Sequence, residues 1–404
     1  MRHMRAVVLA AVLGGSPAGA DVLGDWTDIL LTASATARQP ATLQTRTMAM
    51  VHVAMFDSIN AVDTRYAPYK VRAIPAPGTS AEAAAAVAAH DVLVSLFPAQ
   101  TASLDAALDR SLVRLTDRDI RASSLALGQR VAAAILALRA PDGSDAPNIW
   151  RAVTAAGIYI PTALPVGSTW GKVTPWILEK SDQFHPAPPP ALTSAEWARD
   201  YNELKSLGAK ESTTRTGAQT ETALFWAVPT AGLLSGATRA MNDVAGRSLV
   251  QNARLLALTS MVQADALIAV FEAKYTYNFW RPITAIRNGD LDQNDATAPD
   301  RAWEPLVDTP MSPDYPSAHC ISVAAVAAVL EKEFGAAKVR SFRLSSPGAP
   351  KATHSWGRLA DFVDEVSNAG VWAGVHYRNS TAVGTAMGRK LGDYAWEKVL
   401  RPVK

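Results

Sequence analysis

Four residues, Pro316-Ser317-Ala318-His319, sit directly before the apolar run Cys320 to Leu330. Proline suits the first position of a helix, because the N–H it lacks would have no partner there. The amides that follow point out of a helix N-terminus and attract an anion. Ser317 adds a hydroxyl donor, and His319 can give or take a proton. A second stretch, Lys274 to Pro282, sets Lys274 and Arg281 seven residues apart among aromatics. Two helical turns would bring both cations to one face. A third, Gly374-Val375-His376-Tyr377-Arg378, supplies another histidine. Cations, neutral donors and one group that bonds the central atom are what a tetrahedral oxyanion requires. Each stretch taken alone also reads as ordinary structure: a helix start, solvated helix charges, a loop histidine.

In this order the three stretches resemble the active-site signature of the vanadium-dependent haloperoxidases, shared with the type-2 phosphatidic acid phosphatase superfamily. That signature runs Lys-x6-Arg-Pro, then Pro-Ser-Gly-His, then Ser-Arg-x5-His. Phe279-Trp280-Arg281-Pro282 looks like the haloperoxidase branch more than the lipid phosphatases. The motifs lie within residues 274–380, and a looser likeness to secreted bacterial members extends upstream, for example over Met48 to Tyr69. The resemblance implies an all-α fold of paired helical bundles, with vanadate as cofactor and phosphate as its competitor. It implies halide, hydrogen peroxide and a small organic substrate as partners. His376 would bond the vanadium, or attack phosphorus in a phosphatase. His319 would move a proton, while Lys274, Arg281, Ser317 and the amide of Ala318 would hold the anion. A haloperoxidase would release hypohalous acid. A soluble exported acid phosphatase, or a silent helical anion-binding protein, would use the same pocket.

The chain departs from this signature in three places. Ala318 replaces the glycine, and its amide can still donate. Ala369-Gly370 replaces Ser-Arg, which removes a cation that should hold the anion. Losing one charged hydrogen bond costs about 1.5–3 kcal/mol, or ten- to a hundred-fold in affinity. Arg378 is the nearest candidate to replace it. Ser380 stands where an aspartate is expected four residues after the last histidine, so the group that orients His376 stays open.

The elements that must position these residues read as helices. Trp26, Ile29, Leu30 and Ala33 recur at helical spacing, and Met48 to Ile59 is apolar on most faces. Capping patterns at Thr79-x-x-Glu82 and Thr193-x-x-Glu196 open further helices. Gly246 to Tyr277 is a long helical stretch that carries Lys274 near its end, with Pro282 breaking it just after Arg281. A loop through Pro347 and Pro350 precedes the last helices. Period-two alternation is scarce, so the expected fold class is all-α. Residues 141–192, rich in Pro and Gly, read as a long crossing that separates two helical halves of one domain spanning 21–404.

Met1 to Ala20 reads as a signal peptide, with Arg2 and Arg5, an apolar stretch, and Ala18-Gly19-Ala20 at its end, so the expected location is periplasmic or extracellular. Its removal lowers Lys plus Arg from 39 to 37, equal to Asp plus Glu. A neutral chain offers no pull on nucleic acid or an acidic membrane. No later run approaches roughly 18 uninterrupted apolar residues, so no membrane span is expected. Cys320, the one cysteine, excludes an intrachain disulfide and reads as a small core residue. No two ligand-type side chains show zinc spacing. His52 and His90 lie inside apolar helices and read as core, and His185 as a loop residue. His354 is a weaker candidate for the pocket wall, and among Phe225, Trp226, Phe271, Trp280 and Tyr315 the best candidate is Tyr315.

Overall fold

The computed structural model describes residues 21–151, 153–161, 163–243, 246–336 and 340–403, and the expected leader Met1 to Ala20 lies outside them. The first half holds α1 (Val22–Thr36), α2 (Ala41–Val62), α3 (Ala81–Leu96), α4 (Thr101–Leu112) and α5 (Arg118–Arg139). The second holds α6 (Ala195–Leu207), α7 (Gly217–Phe225), α8 (Thr230–Asn242), α9 (Leu249–Tyr277) and α10 (Pro282–Arg287), then α11 (Ala318–Phe334), α12 (Leu359–Trp372) and α13 (Arg378–Lys398). One bundle is built on α2, α3 and α5, the other on α9, α11 and α13, and α9 packs on both α2 and α11.

This central position explains the composition of α9. It is 29 residues long and apolar enough to cross a bilayer, contrary to the sequence expectation, yet 94% of its most apolar window is buried inside the fold. It reads as a helix apolar all round because it is surrounded by protein. Its buried polar residues are tied down. His52 of α2 bonds Ser260 of α9 through Nδ1 at 2.6 Å and Thr27 of α1 through Nε2 at 3.0 Å. Asp265 accepts the amides of Trp176, Ile177 and Leu178 at 2.7, 2.7 and 2.9 Å. Burial pushes its carboxyl up to about 6, against those three donors. This carboxylate pins the 141–192 crossing, whose described residues are otherwise irregular apart from a 3₁₀ turn at Trp170–Lys172.

Local signals err by a residue or two. The caps of α3 and α6 are Ser80 and Ser194, not Thr79 and Thr193. The loop expected around Pro347 and Pro350 contains an antiparallel hairpin, β1 (Phe342–Ser346) and β2 (Ala349–Trp356). β1 alternates buried and exposed residues over five positions, too short a run to stand out in the sequence.

The second bundle owes its closeness to α13. Gly384, Gly388 and Gly392 lie four residues apart on the face turned to α11, and a methyl group on each would overlap the carbonyl oxygens of Ser317, Ile321 and Ala325. Two backbones meet here with nothing between them, which fixes the start of α11 against α13.

Candidate active site

Three segments converge where α9, α11 and α13 meet. α9 ends at Tyr277, because Asn278 turns left-handed at φ 49°. Lys274 and Arg281 therefore do not share a helix. Arg281 is the N-cap of α10, and Pro282 opens that helix rather than breaking the previous one. The turn nevertheless aims both cations at one strip of backbone. The Lys274 Nζ donates to the carbonyls of Pro313 and Asp314 at 2.6 and 2.7 Å. Arg281 donates from Nε to Ser312 O at 2.6 Å, from Nη1 to Val375 O at 2.8 Å, and from Nη2 to Ser312 Oγ at 3.2 Å. Both side chains are buried. Burial, with the Arg281 charge beside it, holds the Lys274 ammonium well below its usual value, and Asp314 opposes this.

Ser317, not Pro316, begins α11. It is the N-cap, and its Oγ accepts the amide of Cys320 at 3.4 Å. Ala318 and His319 form the first turn. The His319 Nε2 lies 3.0 Å from the carbonyl oxygen of Val228. A carbonyl only accepts, so Nε2 carries the hydrogen and Nδ1 keeps its lone pair. Burial lowers the His319 pKa, and Lys274 and Arg281 push the same way.

His376 sits just before α13, beyond a tight turn in which Gly374 has φ +79°. Its Nδ1 is 2.9 Å from Asp314 Oδ1. The carboxylate accepts Nδ1–H, leaving Nε2 with a free lone pair. Burial pushes this imidazole down to about 4, against the pull of Asp314. Asp314 is fully buried and also stands 3.6 Å from Arg281 Nη1, while its Oδ2 has no hydrogen-bond partner. Sequence reasoning missed this residue. Its one signal was a lone carboxylate two positions before Pro316. Ser380, which replaces the expected aspartate, bonds the Asp314 carbonyl through Oγ at 3.2 Å. The carboxylate that orients the histidine has thus moved to another loop.

Ser317, His319 and His376 line one cavity of about 450 Å³. Lys274 and Arg281 lie behind it, clasping the Ser312–Asp314 strip that forms its back. Gly370 of α12 lines it as well, where the resemblance calls for an arginine. A Cβ there would meet Thr381 Cγ2 at 3.4 Å and the His376 ring at 3.5 Å, ordinary contact distances.

Four expectations fail. Arg378 does not reach the cavity. It forms a two-pronged pair with Glu203 of α6 at 2.6 and 3.3 Å and donates to Asn368 at 2.8 Å, which satisfies its guanidinium on the far side of α13. Tyr315 is buried elsewhere, its hydroxyl on the Ala187 carbonyl at 2.6 Å and its ring against Tyr277. His354 lies on β2, stacked on Phe225 and bonded to Glu365 at 2.8 Å. Of the five aromatic candidates, Trp226 is the one on the cavity wall.

The donor set fits vanadate in kind: a histidine lone pair, two cations with unused N–H groups, a hydroxyl, and helix-end amides. It is poor in charge, since Asp314 offsets one of the two cations and nothing replaces the arginine.

Comparison with known proteins agrees with this geometry. Residues 254–404 match the family described as the VCPO second helical-bundle domain. The vanadium chloroperoxidase of Curvularia inaequalis is 28% identical over 179 residues, a match that covers 37% of this chain and 29% of that protein's length. Among solved structures, a bacterial vanadium-dependent iodoperoxidase superposes with a TM-score of 0.81 at 23% identity, over 96% of this chain and 99% of that one. A bacterial vanadium-dependent chloroperoxidase in its holo form gives 0.71 at 16% identity, over 89% and 91%. By its second bundle and its fold, the chain belongs to the vanadium-dependent haloperoxidase family.

Proposed function

We propose that this chain is an exported, vanadate-dependent haloperoxidase-like enzyme that oxidises halide with hydrogen peroxide. The observation that carries this reading is the Asp314–His376 pair, which presents an unprotonated Nε2 beside the N-terminus of α11. Vanadate held there would supply a Lewis-acidic centre that polarises peroxide. Every other part belongs to the chain. His376 anchors the anion through Nε2, and Asp314 fixes its tautomer. Lys274, Arg281, Ser317 and the first amides of α11 balance the oxyanion charge. His319, kept neutral by burial, accepts a peroxide proton at Nδ1 and later returns it. Overall, hydrogen peroxide, halide and one proton give hypohalous acid and water. The relatives support halide and peroxide as substrates, one being a chloroperoxidase and another an iodoperoxidase. Export rests on the Met1–Ala20 pattern alone, and an intact-mass measurement on the secreted protein locates the cleavage.

The test is halogenation of monochlorodimedone with chloride, bromide and iodide, with and without vanadate, beside hydrolysis of nitrophenyl phosphate. The expected result is halide-dependent turnover only when vanadate and peroxide are both present. Phosphate-ester turnover without peroxide would make the protein a phosphatase. Neither activity, with thermal stabilisation by the anion alone, would make it a silent binding protein.

A further inference from the structure

The histidine cavity is far larger than its small reagents require. Peroxide and halide are each of the order of one water, which occupies about 30 Å³ in the liquid, whereas the cavity measures about 450 Å³. That falls in the range of sites that enclose organic ligands, ~300–1,000 Å³. Its walls are apolar. Ala223 and Trp226 close one side, Val228 and Pro229 the rim, and Ala369 and Ala373 of α12 flank Gly370. The missing arginine accounts for part of this space, because a guanidinium rooted at Gly370 would fill the gap beside the His376 ring. One further ionisable wall residue is Asp308, whose carboxylate accepts an O–H or N–H and repels an anion.

We infer that this cavity is a substrate site for an uncharged, electron-rich aromatic of phenol or indole type, held against Trp226 and Gly370 next to the two histidines. This rests on the haloperoxidase reading for its chemistry. An aromatic carbon attacks the halogen of hypohalous acid, the ring loses its proton, and the products are the aryl halide and water. A bound aromatic meets the oxidant where it forms, so halogenation of that substrate is selective rather than left to diffusion.

The test separates binding from catalysis by using the full chain without vanadate. Indole is titrated calorimetrically, and diethyl pyrocarbonate modification of His319 and His376 is mapped by peptide mass spectrometry with and without indole. Saturable one-to-one binding that protects these histidines is expected. Gly370→Arg fills the gap from α12, and Ala227→Trp narrows the mouth from an exposed position. Each should weaken indole at least about tenfold. Absence of indole binding, or binding that leaves the histidines as reactive as before, would overturn the inference while leaving the vanadate assay untouched. A vanadate assay that fails while indole binds and protects would overturn only the chemistry.

Discussion

At the scale of single residues, Asp314 and Gly370 set what this site can hold. Asp314 orients His376 and also places a negative charge near a bound anion. The two roles separate by substitution. Asp314→Asn keeps an acceptor for Nδ1–H and removes the charge, so vanadate should bind at least as tightly as in the parent. Asp314→Ala removes both and should weaken vanadate roughly 10–100-fold. Equal affinities for the two variants, by equilibrium titration, would show that Asp314 does not position the histidine. Gly370 sits in a helix, and a methyl group on its Cα would meet its neighbours at ordinary contact distances, so a side chain is admissible there. Gly370→Arg should tighten vanadate by ten- to a hundred-fold, the worth of a charged hydrogen bond. Arg378→Ala should leave vanadate affinity unchanged, because Arg378 is spent on Glu203 and Asn368. The histidines, the cations and the arginine missing at Gly370 were legible as sequence spacing. Asp314 was not, because the loop that brings it to His376 joins residues 62 apart in the chain.

Among the elements, the contact between α11 and α13 decides whether the site assembles, because it sets the N-terminus of α11 against the turn that carries His376. Gly388→Ala would drive a methyl group into the Ile321 carbonyl. Overpacking of this kind costs about 1–3 kcal/mol. A lowered denaturant midpoint with weaker vanadate binding is expected, and a variant as stable as the parent would mean the helices can separate at no cost. Helices were readable from periodicity and caps, but their ends were not. A left-handed Asn278 stops α9 three residues before Arg281, and nothing in the apolar pattern marks it. The five-residue β1 was hidden for the same reason, since so few positions cannot establish a period.

Across the whole molecule, buried histidines make acid the weak side of stability. His52 is fully enclosed, and burial lowers it to about 3. The unfolded chain takes up its proton near pH 6.5, the folded chain only near 3. Above 6.5 the group adds no pH dependence, and as pH falls from 6.5 toward 3 it favours the unfolded state by about 1.4 kcal/mol per pH unit. His52→Gln can keep bonds to Thr27 and Ser260 but binds no proton. Its unfolding free energy, measured by denaturant titration between pH 6.5 and 4, should fall less steeply than the parent's by that amount. Identical slopes would mean His52 titrates freely in the folded protein. The paired bundles were expected from three short motifs, whereas the role of α9 in both bundles emerges only from packing. The site as a whole converges on one atom, Nε2 of His376. The most direct measurement is a crystal structure of the protein soaked in orthovanadate. The account predicts vanadium bonded to Nε2 of His376, with oxygens facing Lys274, Arg281 and the first turn of α11. Vanadium on His319, or none at a concentration that stabilises the protein in solution, would contradict it.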